Sequence, residues 1–597
     1  MMRRLKDRAM RDHGPSPDTS WWQFLAAGVA YAILSTLAFP PASLWPIAFV
    51  APLPLVWAAC RARGRWFVAG FWTGVGTLPF WFFEHLYLMD VTAPGYPGLC
   101  LYLAAYPALA VILTDRLLRF SPGLPAAIGV PLCFTGLELL RGEVVLTGYP
   151  WFLAGQPLID VPLLAAPAAV GSVYFVSLLV LGVAGAAGDA AGWSGRQRRK
   201  GGVLAAAWMG LWIATSLAAT LWPTPANQDL RVAAVQTNIP QSNKLGWGPV
   251  AMVSDFRRFV ELTRGAAVDV PRPDVILWPE TMFPGRALNP DGVAGLMTLG
   301  LAPTPLPGPI PVDESETVTE LSERLFYDRL LRTQSTLGVP MLVGAIAMDH
   351  PSTVPVGGGR VRITAAQRFN SAFLIAGGEV QPVRYDKIDL TPFGEVIPYV
   401  WRWPSLQNRI LAMGAAGMSF DLGYGAGPRV LELPVQRDPG GQMTVRLATP
   451  ICFEVTKPLS CRRLAVESPQ GPAAALANIS NDGWFGEFPG RQMHLLCARW
   501  RCVELGLPMV RAVNTGLSAA VDRRGRVLAL GPDGADRASG SDGVLRATLP
   551  MVLAGSGTPF SRVAMAPLAV AMIVLAVLVP VSYWRKWGVR RIEAGPL

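Results

Sequence analysis

Cys452 is the residue in this sequence best placed to do chemistry. The run Thr444-Val445-Arg446-Leu447-Ala448 alternates as a strand does and stops at Pro450, so the thiol falls at a strand end with Glu454 two residues later. Corners of this kind expose a nucleophile at the edge of a sheet. A free thiol is only about a few per cent ionised at neutral pH, so it needs a base, and an inert buried thiol is the ordinary alternative. Trp278-Pro279-Glu280 closes a second apolar run, Asp274 to Trp278. Pro ends a ladder, which puts Glu280 where strand meets loop, either as a solvated acid or as a general base. Tyr385 to Glu395 sets Lys387 and Glu395 in a loop with Pro392 and Gly394, a segment that by itself reads as a surface charge cluster. Asn478 to Gly486 follows another strand. It is either a turn whose Asn and Asp bond their own backbone, or a mobile lip that presents Trp484 and Phe485 to a membrane.

These residues need strands to hold them. Residues 228–550 read as an α/β domain: strands at Leu230–Gln236, Asp274–Trp278, Met341–Ile346, Ala474–Ile479 and Pro508–Val513, and a hairpin of Asn370–Ala376 and Glu379–Tyr385 around Gly377-Gly378. Helical spacing marks Glu316–Thr333, and Gln492–Leu505 is expected to be helical. The Pro-rich stretch Ala302–Pro311 and the Pro/Gly-rich Pro351–Gly359 read as exposed loops.

The rest of the chain is unlike a soluble protein. Of 597 residues, 51% are hydrophobic and 16% charged, against about 25% charged in soluble domains. Seven stretches near 22–40, 43–60, 66–88, 96–119, 122–141, 161–188 and 202–222 approach the ~20 residues that cross a bilayer core, and Ala564–Tyr583 is an eighth. The net charge of +11 is not a nucleic-acid signature. Its basic residues cluster beside the apolar stretches, at Arg3–Arg11, Arg61–Arg65, Arg116/Arg119, Arg196–Lys200 and Arg585–Arg591, at every second crossing. The positive-inside rule then places both termini in the cytoplasm and about 223–561 outside, the periplasm of a bacterium with two membranes. The expected domains are 1–222, a membrane bundle of seven spans; 223–561, a catalytic domain; and 562–597, a last span and basic tail. Seven scattered cysteines and four histidines offer no metal-ligand spacing.

Glu280, Lys387 and Cys452, each at a strand end in this order, resemble the Glu-Lys-Cys triad of the nitrilase (carbon–nitrogen hydrolase) superfamily over about 228–550. With the flanking spans, and with Ile239-Pro240-Gln241-Ser242, Pro392-Phe393-Gly394-Glu395 and Ser480 to Gly486, the chain resembles the apolipoprotein N-acyltransferase family. That resemblance implies an α-β-β-α sandwich and a reaction without cofactor or metal. Glu280 would be the general base for Cys452, and Lys387, helped by a backbone N–H near Phe453, the oxyanion partner. Glu395 would orient Lys387, and Glu454 matches a second acid after the nucleophile. Phe453 stands where better-known members carry Tyr. Trp247 matches a family tryptophan at a longer spacing, and the Pro-rich 302–311 stretch looks like an insertion. The implied donor is the sn-1 acyl chain of a phospholipid such as phosphatidylethanolamine. The implied acceptor is the α-amine of the diacylglyceryl-cysteine of an apolipoprotein, and a monomer is expected. Two rivals are a membrane-tethered amidase, which has little use for eight spans, and a transporter, which would carry polar or broken helices at mid-membrane.

Overall fold

The structure, a computed structural model, describes residues 19–564 except 122, 194–197, 224–225, 241–245, 314–315, 358–359, 398, 400–402, 404–421, 438–440, 487–488, 534–539 and 554. The expected span Ala564–Tyr583, the basic tail and residues 241–242 of the Pro-Gln-Ser run lie outside the described residues, save for Ala564 itself.

Among the described residues fourteen strands follow in chain order: β1 (Ala226–Gln236), β2 (Val275–Trp278), β3 (Thr304–Pro311), β4 (Thr317–Leu321), β5 (Met341–Gly357), β6 (Arg360–Ala376), β7 (Glu379–Asp386), β8 (Leu431–Arg437), β9 (Gly441–Ala448), β10 (Ala475–Ser480), β11 (Met509–Val513), β12 (Ala519–Val521), β13 (Val527–Leu530) and β14 (Gly543–Val552). Twelve form two six-stranded sheets, ordered β14-β1-β2-β5-β6-β7 and β13-β12-β11-β10-β9-β8. The strand period of two sorts their side chains. In β1 and β2, Val232, Ala234, Val275 and Leu277 face the second sheet. Their neighbours Ala233, Val235, Ile276 and Trp278 meet the helices Pro249–Ala267 and Leu325–Leu337. Helices Pro458–Val466 and Gly490–Leu505 cover the second sheet, so the layers run helix, sheet, sheet, helix.

Several local expectations need correction. Glu316–Thr333 is not one helix: Thr317–Leu321 is strand β4 and the helix begins at Leu325. The Pro-rich 302–311 stretch is no loop, since β3 pairs with β4 in a two-stranded sheet. Both its strands are edges, where a proline's missing N–H does no harm. Of the Pro/Gly-rich stretch 351–359, residues 351–357 are no loop but continue β5 in its hairpin with β6, where Val354, Val356 and, on β6, Val361 are exposed.

Among the described residues four helices are long and apolar enough to cross a membrane: Trp21–Ala38, Gly95–Phe120, Ala168–Ala190 and Lys200–Leu221. The other expected spans within the described residues are shorter or less apolar. Residues 43–60 divide into a 3-10 turn, Trp45–Phe49, and a nine-residue helix, Leu53–Arg61. Ala126–Leu139 has 14 residues, and Trp66–Glu84 has 19, with Pro79 inside. Trp21–Ala38 and Trp66–Glu84 cross glycine to glycine: a Cβ on Gly28 would stand 2.2 Å from the Thr73 carbonyl, and one on Gly76 2.4 Å from that of Leu25. Ala168–Ala190 is broken at Gly171 and Ser172, where Ser172 has φ 70°.

Candidate active site

Glu280 follows β2 and is 6% exposed. Its backbone lies against Gly344 of β5, where a Cβ would stand 2.7 Å from the Glu280 Cα; only glycine permits that approach. Glu280 Oε1 accepts from Asn370 Nδ2 at 2.7 Å and Oε2 from the Asn481 N–H at 3.0 Å. Asn370 belongs to β6 and Asn481 follows β10, so the carboxylate joins the two sheets. Asn370 Nδ2 also donates to Glu395 Oε1 at 3.0 Å and holds the two acids apart from each other.

Lys387 ends the β7 edge and is fully buried. Its Nζ lies 2.6 Å from Glu395 Oε2, 3.2 Å from Thr391 Oγ1 and 3.7 Å from Glu280 Oε1. Burial works against the ammonium charge, but Glu395 and Glu280 together outweigh it and hold the group above lysine's ordinary value. Burial likewise opposes the charge on Glu395, and Lys387 still keeps that carboxyl below the usual range. An ammonium has three protons. Two are directed at Glu395 and Thr391, and the third faces Glu280 at a length beyond a good hydrogen bond.

Cys452 has φ 51°, a left-handed conformation that costs a non-glycine residue and that recurs at functional corners. It is the one cysteine of the seven that is not fully buried. Burial pushes the thiol above its ordinary value, Glu280 adds to that, and Lys387 offsets part. The Cys452 carbonyl accepts from His494 Nε2 at 3.2 Å. The other ring nitrogen lies 2.9 Å from Asp482 Oδ1, and Arg511 Nη2 donates to Asp482 Oδ2 at 2.6 Å. Asp482 is drawn well below the carboxylate range because Arg511 and His494 outweigh the cost of its burial.

Glu454 is not among the groups that meet Glu280. Its Oε1 accepts from Tyr385 Oη at 2.9 Å and from the N–H groups of Ile388 and Asp389, and its Oε2 from the N–H of Ile451. It therefore ties the cysteine turn to the lysine loop, and Lys457–Asp389 at 2.7 Å does so again. Burial pushes its carboxyl up to about 7.

An aromatic wall closes the side toward the membrane helices. Phe453 stacks on Tyr149 at 6.3 Å, and Phe485 meets Tyr87 at 5.1 Å, Trp151 at 5.5 Å and His494 at 5.5 Å. Trp484 follows Asp482 in the same 3-10 turn and is partly exposed. Trp247 lies elsewhere: its indole N–H donates to Asp255 at 2.7 Å, and it packs on the helix-covered face of the first sheet. Asn370, Asn481, Thr391, His494 and Tyr149 were not singled out from the sequence. Asn370 opens the expected strand Asn370–Ala376 but lies inside the longer β6, and its role has no local signal. Among the described residues no cluster of three or more His, Cys, Asp and Glu side chains could hold a metal ion.

Known proteins share both parts of the chain. The apolipoprotein N-acyltransferase N-terminal domain matches residues 31–186, and the carbon-nitrogen hydrolase family matches residues 231–556. Proteins named apolipoprotein N-acyltransferase are similar over nearly the whole length. One from Rhodopseudomonas palustris is 28% identical, covering 94% of this chain and 95% of its own. One from Rhizobium etli is 28% identical, covering 97% and 98%. Among solved structures, an amidase from Nesterenkonia sp. is 16% identical and covers 58% of this chain and 97% of its own, with a TM-score of 0.32. The fold rests on the two sheets and the family match over them: the chain belongs to the carbon–nitrogen hydrolase family and carries, ahead of that domain, the N-terminal domain of the apolipoprotein N-acyltransferases.

Proposed function

We propose that the protein moves an acyl chain from a phospholipid to the α-amine of the N-terminal diacylglyceryl-cysteine of apolipoproteins, through a thioester on Cys452. The observation that carries this reading is the place of the nucleophile. The Cys452 turn lies between a buried Glu280–Lys387–Glu395 network and an aromatic wall contributed by the membrane bundle. A small-amide hydrolase has no need of that wall, whereas a substrate with acyl chains approaches from it. Proteins carrying the acyltransferase name align over both parts of the chain, which supports the same reading.

In the first step Cys452 Sγ attacks the ester carbonyl, and its proton passes to Glu280. The oxyanion that forms accepts a hydrogen bond from the third Lys387 N–H, at a moment when Glu280 has been neutralised and no longer competes for it. The tetrahedral intermediate collapses, the C–O bond breaks, and the lysophospholipid leaves with the proton from Glu280. In the second step the free amine attacks the thioester and gives a proton to Glu280. Cys452 leaves as thiolate and takes that proton back from Glu280, and the product is an amide. Dividing the transfer avoids a three-body encounter, and a thioester is reactive enough for aminolysis. Glu395 keeps Lys387 charged, and Glu454 keeps the two loops in register. Trp484 and Phe485 offer the acyl chains apolar surface, and Trp247 belongs to the substrate path by its family match alone.

The reading includes the expected domain limits, 1–222, 223–561 and 562–597, eight crossings, both termini cytoplasmic and a periplasmic catalytic domain, all supported by the alternating basic clusters. An impermeant thiol or protease probe should reach the catalytic domain in intact spheroplasts; cleavage in inverted vesicles alone would reverse the orientation. The reaction is tested by incubating the enzyme with phospholipid alone. An acyl thioester should form on Cys452, one per site, cleavable by neutral hydroxylamine, and a diacylglyceryl peptide should discharge it as an amide. Acylation of another cysteine with Cys452 unmodified would sink the assignment.

A further inference from the structure

The break in the membrane helix Ala168–Ala190 is occupied by the catalytic domain. At Gly171 and Ser172 the backbone leaves helical dihedrals, and the segment from Val173 onward presents a fresh N-terminus inside the protein. Glu504, near the end of the catalytic helix Gly490–Leu505, fills it. Its Oε1 accepts from Ser172 Oγ at 2.9 Å and from the Val173 N–H at 2.9 Å. A carboxylate at a helix N-terminus is favoured by the helix dipole as well as by the donors. Both residues are fully buried, where a lone charge would be very costly. Arg501 supplies the countercharge, with Nη2 2.8 Å from Glu504 Oε1 and Nε 2.7 Å from Oε2.

Arg501 does more than neutralise. Its Nη1 donates to the carbonyl of Thr456, the last residue of the 3-10 turn that begins at Cys452. Along the same helix, Trp500 donates to the Gln156 carbonyl at 3.1 Å, and Gln156 Nε2 donates to the Pro150 carbonyl at 2.7 Å, next to Tyr149 and Trp151 of the aromatic wall. The front of the turn is held by His494, from the same helix, through the Cys452 carbonyl. One helix thus grips both ends of a strained nucleophile turn on one side and the membrane bundle on the other.

We infer that Glu504 and Arg501 are positioning residues through which the broken membrane helix at Ser172 sets the geometry of the Cys452 turn, so that the nucleophile is aligned only while the catalytic domain is seated on the bundle. The inference rests on Cys452 as the nucleophile of the proposed reaction. It differs from a role in folding alone because the contacts converge on the turn, where a small displacement changes rate more than binding.

The test uses the full-length protein in detergent, with Ser172→Ala, Glu504→Gln and the double variant. Three quantities are measured: the rate of Cys452 alkylation by iodoacetamide across about pH 6 to 10, thioester formation against phospholipid concentration, and the melting temperature. Glu504→Gln should slow both reactions of Cys452 by about 10-fold to 100-fold with its phospholipid KM unchanged. Ser172→Ala, which removes one hydrogen bond, should slow them about 3-fold to 10-fold. The double variant should be no slower than Glu504→Gln, since both act through one contact. Alkylation profiles and loading rates that superimpose on the wild type in a Glu504→Gln protein of unchanged melting temperature would overturn the inference. If Glu504→Gln melts early, Ser172→Ala decides: a lower loading kcat at constant KM supports the inference, and unchanged constants overturn it. A wild-type enzyme that never forms a thioester would defeat the acyltransferase reading instead and leave the alkylation comparison standing.

Discussion

The two sheets carry the two halves of the site and hold them in different ways. On the first sheet, Glu280 and Lys387 are fixed by neighbours from the sandwich itself: Asn370 and Thr391, the Asn481 N–H and the Glu395 carboxylate. The outer face of that sheet is covered by the helices Pro249–Ala267 and Leu325–Leu337, and among the described residues its core includes none from the membrane helices. On the second sheet, the Cys452 turn hangs from the helix Gly490–Leu505, which is packed in turn on the membrane bundle. The direct partners of the acid and the lysine thus come from the catalytic domain, whereas the turn of the proposed nucleophile and the aromatic wall lean on the bundle. A lipid substrate has to meet a water-excluding charge network and an apolar surface at once, and the division assigns one to each sheet.

Removing the chemistry gives the largest effect and tests the two halves together. Cys452→Ala should lower acyl transfer by on the order of 10⁴-fold or more, as loss of a nucleophile does elsewhere. Glu280→Gln keeps the shape of the first half but not its base, and should fail to load acyl chain at a measurable rate. Normal loading in that variant would pass the base role to another acid, Glu395 or Glu454. Lys387→Ala should cost about 10²-fold or more in loading, as for a preorganised oxyanion donor, with phospholipid binding little changed. Near-normal turnover would return Lys387 to a structural role.

The same pair separates charge from base catalysis. Glu280 raises the Cys452 thiol and Lys387 lowers it. Removing the negative charge favours thiolate, so the pH midpoint for iodoacetamide alkylation should fall in Glu280→Gln. Removing the positive charge disfavours thiolate, so the midpoint should rise in Lys387→Met. Shifts in the same direction would mean that the two groups do not act on Cys452 through their charges.

Asn370→Ala sharpens the view that the first half is self-contained. It takes one buried donor from each of Glu280 and Glu395, so it should cost about 1–3 kcal/mol in denaturant unfolding and slow loading about tenfold. Phe453 should give the smallest effect. Phe453→Tyr keeps the ring on Tyr149, whereas Phe453→Leu loses a contact of about 0.5–1.5 kcal/mol. Turnover should therefore barely change in the first and fall by up to about tenfold in the second. Equal effects would remove the stack from the account.

The strand ends that carry Glu280, Lys387 and Cys452 were legible because each follows an alternating or apolar run closed by a breaker or a turn. The apolar stretches of the bundle were legible from composition, although Leu53–Arg61 and Ala126–Leu139 turned out short and Ala168–Ala190 broken. The clamp made by Asn370 was not legible, since one amide joining acids on two different loops leaves no local pattern. Glu454 shows the same limit. Two residues after the nucleophile it looked like a site acid, but its four donors come from the lysine loop, Tyr385 and Ile451.

By itself the sequence determined the strands whose ends carry Glu280, Lys387 and Cys452, the apolar stretches of the chain, and where along it the reactive side chains stand. Those properties follow from periodicity, propensity and composition, which act over neighbouring residues. Only the tertiary structure decided that Lys387 sits buried and charged between two carboxylates, that Cys452 is held in a left-handed turn by His494, and that Glu504 closes the break at Ser172. Charge interactions and hydrogen bonds depend on separation in space and on exclusion of water, and neither is set until distant parts of the chain have packed.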